Sequence, residues 1–171
     1  MVISQLNFRN NLVSTIFNYT KTNIGTTYTN ATDGWDSKTI TYLSAYPESM
    51  EKYKDNLPLI IIKRRNGLTP TQFELGGNRE YPVLFDCYII AGGYNNDNHD
   101  DYMMNSLTDK LIFLYDNKVI DFINYDTGEV VQGTIRTTVD EDGTVPNDRI
   151  NDFNRHKNEL TLEAKVLIYN N

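Results

Sequence analysis

The tripeptide Asp126-Thr127-Gly128 matches a catalytic motif within this chain of 171 residues. Aspartic proteases carry this motif on a tight turn, where its carboxylate shares a proton with a second carboxylate. A hairpin turn favours the same residues on backbone grounds alone, because Asp bonds its own backbone and Gly tolerates a positive φ. Asn124 and Tyr125 stand where the proteases usually have an apolar pair. We therefore interpret the tripeptide as a turn.

A second candidate is the pair Glu163 and Lys165 with an acidic residue upstream, a pattern similar to that of metal-dependent nucleases. Such enzymes hold a divalent ion between two carboxylates and keep a lysine near the attacking water. Asp148 or Asp152 could supply the second carboxylate. The same spacing puts both charged side chains on the exposed face of a strand, where such pairs are ordinary. The sequence favours the surface pair and leaves the nuclease as an alternative.

Patterns that bind metals or activate a nucleophile are weak. His99 and His156 are the only histidines, and no pair of cysteines completes a zinc site with them. Residues 95–101 are rich in oxygen ligands but lack the EF-hand spacing, and helix capping explains their composition. Cys87 lies in an apolar stripe and is predicted to be a core thiol. We therefore expect no catalytic residues, no bound metal, no cofactor and no enzyme activity.

Lys63-Arg64-Arg65 is a dense basic spot in an acidic chain. The protein has 16 Lys and Arg against 23 Asp and Glu, for a formal net charge of −7. The basic spot directly follows the apolar run 57–62, which is typical of a buried strand. A polar surface loop is one interpretation, and an ionic contact with a neighbouring subunit is the other.

Two helices and several strands are expected to position these residues. Apolar residues at helical spacing predict one helix over 4–21, with Ser4 as its N-cap, and a second helix over 94–116. Apolar or alternating runs predict strands over 57–63, 81–90, 119–125, 130–137 and 160–169. This order predicts an α+β fold with a mixed, mainly antiparallel sheet and both helices packed on one face.

Two segments have no clear periodicity. Residues 23–57 are predicted to form a loosely structured arm of a single domain that spans 1–171, with a short strand near 39–43 and a helical turn near 47–54. Residues 140–152 are acidic and are predicted to be irregular.

Composition excludes several classes of protein. One cysteine cannot form an internal disulfide, and no apolar run approaches the ~18 residues that a membrane span needs. The acidic balance argues against a protein that binds nucleic acids through many phosphate contacts.

Three local segments carry a resemblance to a known family. They are the polar entry to a strand at Arg79-Glu80-Tyr81-Pro82-Val83, the helical segment Leu107-Thr108-Asp109-Lys110-Leu111, and His156-Lys157-Asn158-Glu159 before the last strand. Together with the order of elements, they resemble the tail-terminator proteins of long-tailed bacteriophages, which take part in tail completion and head–tail joining.

The resemblance implies a structural virion protein rather than an enzyme. A tail terminator is a late protein that forms a hexameric ring, caps the tail tube, stops its polymerisation and offers a docking surface to the head and neck. Its partners would be other copies of itself, the tail tube protein and neck or head-completion proteins, without a membrane. DNA would pass through the lumen without specific binding, and the acidic segment 140–152 would suit the lumen or rim.

The resemblance also predicts the location of the protein and the contact between subunits. The protein would lie at the tail–neck junction of the virion, and in the host cytoplasm during assembly. Its subunit interface would join opposite charges, and the predicted residues are Lys63, Arg64, Arg65, Asp140, Glu141 and Asp142. Another phage neck or baseplate component, or a metal-dependent nuclease, remains the alternative.

Overall fold

Long antiparallel strands dominate the fold. The structure is a computed structural model that describes residues 7–29, 37–65, 73–75, 78–93, 99–150 and 153–168. Its elements in chain order are α1 (Phe8–Ile24), β1 (Thr27–Tyr28), β2 (Lys38–Thr39), β3 (Thr41–Leu43), a 3₁₀ helix (Glu51–Asn56), β4 (Leu59–Arg64), β5 (Phe73–Leu75), β6 (Asn78–Gly93), α2 (His99–Tyr115), β7 (Lys118–Asn124), β8 (Glu129–Ile150) and β9 (Phe153–Ile168).

In this described part of the chain, seven strands form one sheet in the order β3-β4-β6-β9-β8-β7, and β5 pairs with the beginning of β6. All neighbours in it are antiparallel except β3 and β4, which are parallel. A separate small sheet pairs β1 with β2. The predicted α+β fold with a mixed, mainly antiparallel sheet is therefore confirmed.

The pleat of β6 separates the two faces of the sheet. Its odd-numbered residues from Tyr81 to Ala91 are buried in the main apolar core, together with Leu12 and Ile16 of α1 and Leu107 of α2. Its even-numbered residues point to the opposite face, as the two-residue period of a strand requires. Both helices therefore pack on one face, which we call the helix face, and the other is the outer face.

Helix α1 connects the two edges of this curled sheet. Asn11 donates a hydrogen bond from Nδ2 to Asn124 Oδ1 of β7, at 3.1 Å, while Phe17 packs edge-on against Tyr42 of β3. The hydroxyl of Thr15 also bonds the backbone of Ile123. The backbone N–H and C=O groups at a sheet edge have no neighbouring strand on one side. The hydroxyl of Thr15 supplies this missing partner, so α1 shields this part of β7 from pairing with another strand.

A second, smaller apolar cluster lies on the outer face. Leu59 and Ile61 of β4 and Ile90 of β6 are buried there beneath residues of the segment that joins β3 to β4, among them Tyr46 and Tyr53. Tyr28 and Ile40, at the other end of the predicted arm, are buried in the main core. The described parts of residues 23–57 thus contain short strands and the 3₁₀ helix, close to the predicted positions.

Several predicted boundaries were wrong. Helix α1 begins after Asn7, which has a left-handed φ of 43°, and it continues to Ile24. The predicted cap Ser4 lies outside the described residues. The prediction of an irregular 140–152 was also wrong, since β8 extends to Ile150 and pairs with β9. Two register shifts, at Glu141/Gly143 and Val145/Asp148, interrupt the alternation and hide the strand from a period-two pattern.

Candidate subunit interface

The predicted basic spot is divided between the two faces of the sheet. Lys63 and Arg64 are the last residues of β4, where Lys63 pairs in register with Asp86 and Arg64 with Phe85, and Arg65 follows the strand. Phe85 belongs to the main core, so Arg64 lies on the helix face and Lys63 on the outer face. Treating the three residues as a single patch was therefore wrong, because successive side chains of a strand alternate.

Arg65 has partners within its own chain. Its Nε lies 2.8 Å from Asp86 Oδ1, and its terminal nitrogen contacts Asp86 Oδ1 at 2.5 Å and Thr161 Oγ1 at 3.2 Å. The Asp86 side chain is only 14% exposed, so the guanidinium compensates a largely desolvated carboxylate. The backbone N–H of Arg65 also donates a hydrogen bond to the Leu84 carbonyl, at 2.9 Å. Arg65 thus joins β4, β6 and β9 on the outer face.

The predicted acidic partners all lie in the middle of β8. Asp140 is exposed and pairs in register with Thr161 of β9. Glu141 pairs with Leu160, and the first register shift of β8 follows it, so Asp142 has no paired position in the ladder. The side chains of Glu141 and Asp142 are outside the described part of the structure. A paired strand rather than a loop therefore holds these acidic positions.

One row of residues crosses the sheet from the basic spot to the acidic one. Its members in register are Lys63, Asp86, Thr161 and Asp140. Neighbouring strands lie about 4.8 Å apart, so three spacings put the backbones of Lys63 and Asp140 about 14 Å apart. These two charged residues therefore lie on the same face of the sheet and at the same level, but near its two opposite edges.

The Asp-Thr-Gly segment is the predicted turn. Gly128 has a φ of 76° and donates its N–H to the Asn124 carbonyl at 2.7 Å. The backbone N–H of Asp126 donates to Asn124 Oδ1 at 3.0 Å, and the Asp126 side chain is exposed. The segment therefore has the geometry that closes the hairpin between β7 and β8.

The nuclease pattern does not come together around Glu163. Asp148 pairs with Arg155, eight positions before Glu163 on β9. At about 3.3 Å per residue, the two acidic residues are about 26 Å apart along the strand, too far to share an ion. Asp152 lies outside the described residues. Glu163 instead lies 3.8 Å from Lys165 and 3.5 Å from the Thr138 hydroxyl.

Cys87 is a core residue, as predicted. Burial raises the pKa of its thiol to about 12, with the charge of Asp86 as a lesser cause, so the thiol is protonated at neutral pH. Among the described side chains, no group of three potential metal ligands is present. The side chains of His99 and His156 are outside the described part of the structure. No helix of the described residues is long and apolar enough to cross a membrane.

Sequence reasoning missed a cluster that holds the 44–57 segment on the outer face. Lys157 Nζ lies 4.4 Å from the ring centroid of Tyr88 and 5.5 Å from that of Tyr46, and 3.3 Å from Glu159 Oε2. Burial, and then the carboxylates of Glu159 and Asp86, raise the pKa of Tyr88 to about 12. The alternation of β9, extended towards its N-terminus, is the signal that could have placed Lys157 on this face.

Comparisons with known proteins support the fold. No protein-family model matches the chain, and no curated protein matches it. Sixteen chains of known structure do match. One of them aligns with 99% of this chain and 100% of its own length, at a TM-score of 0.51 and 12% sequence identity. At this level of sequence identity, the similarity shows a shared fold alone.

Proposed function

We propose that this protein is a ring-forming structural subunit of a phage tail, and specifically a tail terminator. The observation that supports the proposal is the row of charges across the sheet. Lys63 and Asp140 are too far apart to neutralise each other within one copy, yet they stand at the same height on opposite sides. A head-to-tail contact between copies would bring such charges together, and contacts of this kind close into a ring when the rotation between neighbours divides a full turn evenly.

The proposed role is physical rather than chemical. One surface of the ring would match the last ring of the tail tube, and the opposite surface would not accept another tube subunit but would contact neck proteins. DNA would pass through without base contacts. The chain has a net charge of −7, and acidic residues in the lumen would keep the DNA from adhering, because they repel its phosphate backbone.

Termination can be tested with purified tail tube protein that polymerises in vitro. Adding the chain at the start should give short tubes with one extra ring at an end, visible by negative-stain electron microscopy. Adding it after growth should leave tube length unchanged and decorate the ends. Tubes that grow to full length with bare ends at a saturating concentration would contradict a terminator role.

A further inference from the structure

Both sides of the large sheet have backbone positions that the described strands leave unpaired. On one side, β3 pairs with β4 only over Leu59–Ile61, so Ile62–Arg64 have no described strand on that side. On the other side, β7 pairs with β8 only up to Thr137, so β8 from Thr138 onward has no described strand on that side. An unpaired edge of this kind is a ready template for a strand from another chain.

The two open edges lie at the same level of the sheet. Ile62 aligns through β6 and β9 with Glu141, and Arg64 aligns in the same way with Val139. Counting directions through the antiparallel neighbours makes β4 antiparallel to β8. If one copy stood beside another in the same orientation, the open edge of β4 would thus meet the open edge of β8 in an antiparallel sense.

The hydrogen-bonding directions also agree. The Arg65 N–H donates a hydrogen bond to the Leu84 carbonyl, so the backbone N–H and C=O groups of Arg65 and Lys63 point towards β6. Because successive residues alternate, the backbone groups of Arg64 point away from β6, to the open edge of β4. Following the alternation across β6 and β9, Val139 and Glu141 direct theirs to the open side of β8. The bonds between the Thr15 hydroxyl and the backbone of Ile123 fit the same alternation, since they put that residue's groups on the outer edge of β7.

We infer that copies of this chain join edge to edge, with β4 of one copy pairing antiparallel with the 139–141 stretch of β8 in the next. Arg64 and Val139 would exchange backbone hydrogen bonds. Lys63 and Asp140 would form the adjacent pair on the outer face, where side chains approach most closely. This inference rests on the proposed function and names the surface that closes the ring.

The charges of Lys63 and Asp140 favour a second copy of this chain as the partner of the open strand edges. Neither Lys63 nor Asp140 forms an ion pair with any described residue, and Asp140 is exposed. The proposed pairing of β4 with β8 would give Lys63 and Asp140 a partner of opposite charge in the neighbouring copy. The bulge of β8 between Glu141 and Gly143 bends the strand at the level where β3 already occupies the edge of β4, so it limits the pairing to a short stretch.

A disulfide tests the register directly. Lys63→Cys combined with Asp140→Cys should cross-link between copies under mild oxidation, because paired positions of this type have Cα atoms about 4.5 Å apart, within the span of a disulfide. Within one chain the two positions are about 14 Å apart and cannot form the bond. Denaturing gels should therefore show a ladder of cross-linked copies, which reducing agent removes. The native Cys87 is only 1% exposed and should not contribute.

The matched control is Lys63→Cys with Thr138→Cys, which moves one cysteine two residues along the same face of β8. It should cross-link at least tenfold more slowly. A ladder of equal yield in the control, or no ladder from the 63/140 pair, would overturn the proposed register. Circular dichroism on both variants would verify that they fold.

Exchanging the charges of Lys63 and Asp140 tests the proposed interface separately from the formation of a ring. In native mass spectrometry, Lys63→Glu alone and Asp140→Lys alone should each reduce the assembled fraction at least fivefold, and the double exchange should restore it. If the wild type forms rings and the single variants assemble equally well, the interface is wrong and the ring stands. If the wild type remains a monomer even with tail tubes present, the proposed function fails as well.

Discussion

The two faces of the sheet differ in what they contribute. On the helix face, α1 and α2 bury a continuous apolar core that contains Phe85, Leu107 and Ile135, each 0% exposed. On the outer face, the residues of β9 are mostly charged or polar, and among the described residues the 44–57 segment covers the end where Leu59, Ile61 and Ile90 lie. The difference indicates that the helix face stabilises the fold, whereas the described residues leave part of the outer face and the edges beside it uncovered, where the proposed contacts with other copies would form.

The largest effect should come from the helix face. Phe85→Ala should lower the free energy of unfolding by about 3–5 kcal/mol, because it removes a fully buried aromatic ring and leaves a cavity. Phe113 of α2 is 78% exposed and provides the matched control, since Phe113→Ala should change stability by less than about 0.5 kcal/mol. Denaturant titrations of both variants measure the difference. Equal losses would contradict the assignment of the core.

An intermediate effect is expected where α1 meets the edge of β7. Asn124 is 5% exposed, and its Oδ1 accepts hydrogen bonds from Asn11 Nδ2 at 3.1 Å and from the Asp126 N–H at 3.0 Å. Asn124→Ala should therefore cost about 1–3 kcal/mol of unfolding free energy. Asn10 is exposed on α1, and Asn10→Ala is the control that should be nearly neutral. A neutral Asn124→Ala would show that the edge does not need this bond.

A smaller effect is expected on the outer face, at the Arg65–Asp86 pair. A double-mutant cycle with Arg65→Ala and Asp86→Ala should give a coupling free energy of about 1 kcal/mol, because Arg65 is 42% exposed and water screens the pair. Denaturation in low and high salt measures both the coupling and its screening. A coupling of several kcal/mol would mean that this face stabilises the fold as strongly as the helix face.

The smallest effect should come from Glu163. Glu163→Gln should change the free energy of unfolding by less than about 0.5 kcal/mol, since its contact with Lys165 is a 3.8 Å surface pair. It also tests the nuclease alternative, because purified wild type with Mg²⁺ should leave DNA intact. Cleavage by the wild type that disappears in Glu163→Gln would establish a catalytic role and end the structural account.

Local patterns predicted much of the helix face. The apolar spacing of α2 and the alternation of β6 depend on residues close in the chain, so their periods are visible without a structure. The same holds for the turn at Asp126-Thr127-Gly128. The extension of β8 was missed because two bulges break its alternation, and a broken period is indistinguishable from a loop in the sequence.

The surroundings of the residues in the proposed interface were harder to predict, because they depend on strand order. The sequence separates Arg65 from Asp86 by 21 positions and from Thr161 by 96, and only the neighbourhood of β4, β6 and β9 brings them together. The alignment of Lys63 with Asp140 depends on three successive registers. Opposite charges in the sequence suggested an interface, but the topology determines which of them stand at the two edges.

The central claim is that copies of this chain close into a ring, and its mass in solution is the direct test. Native mass spectrometry or sedimentation of the wild type, alone and with tail tubes present, should give a discrete species of six copies without larger open chains. A single species at the mass of one copy under every condition, or an unlimited series of oligomers, would contradict the account.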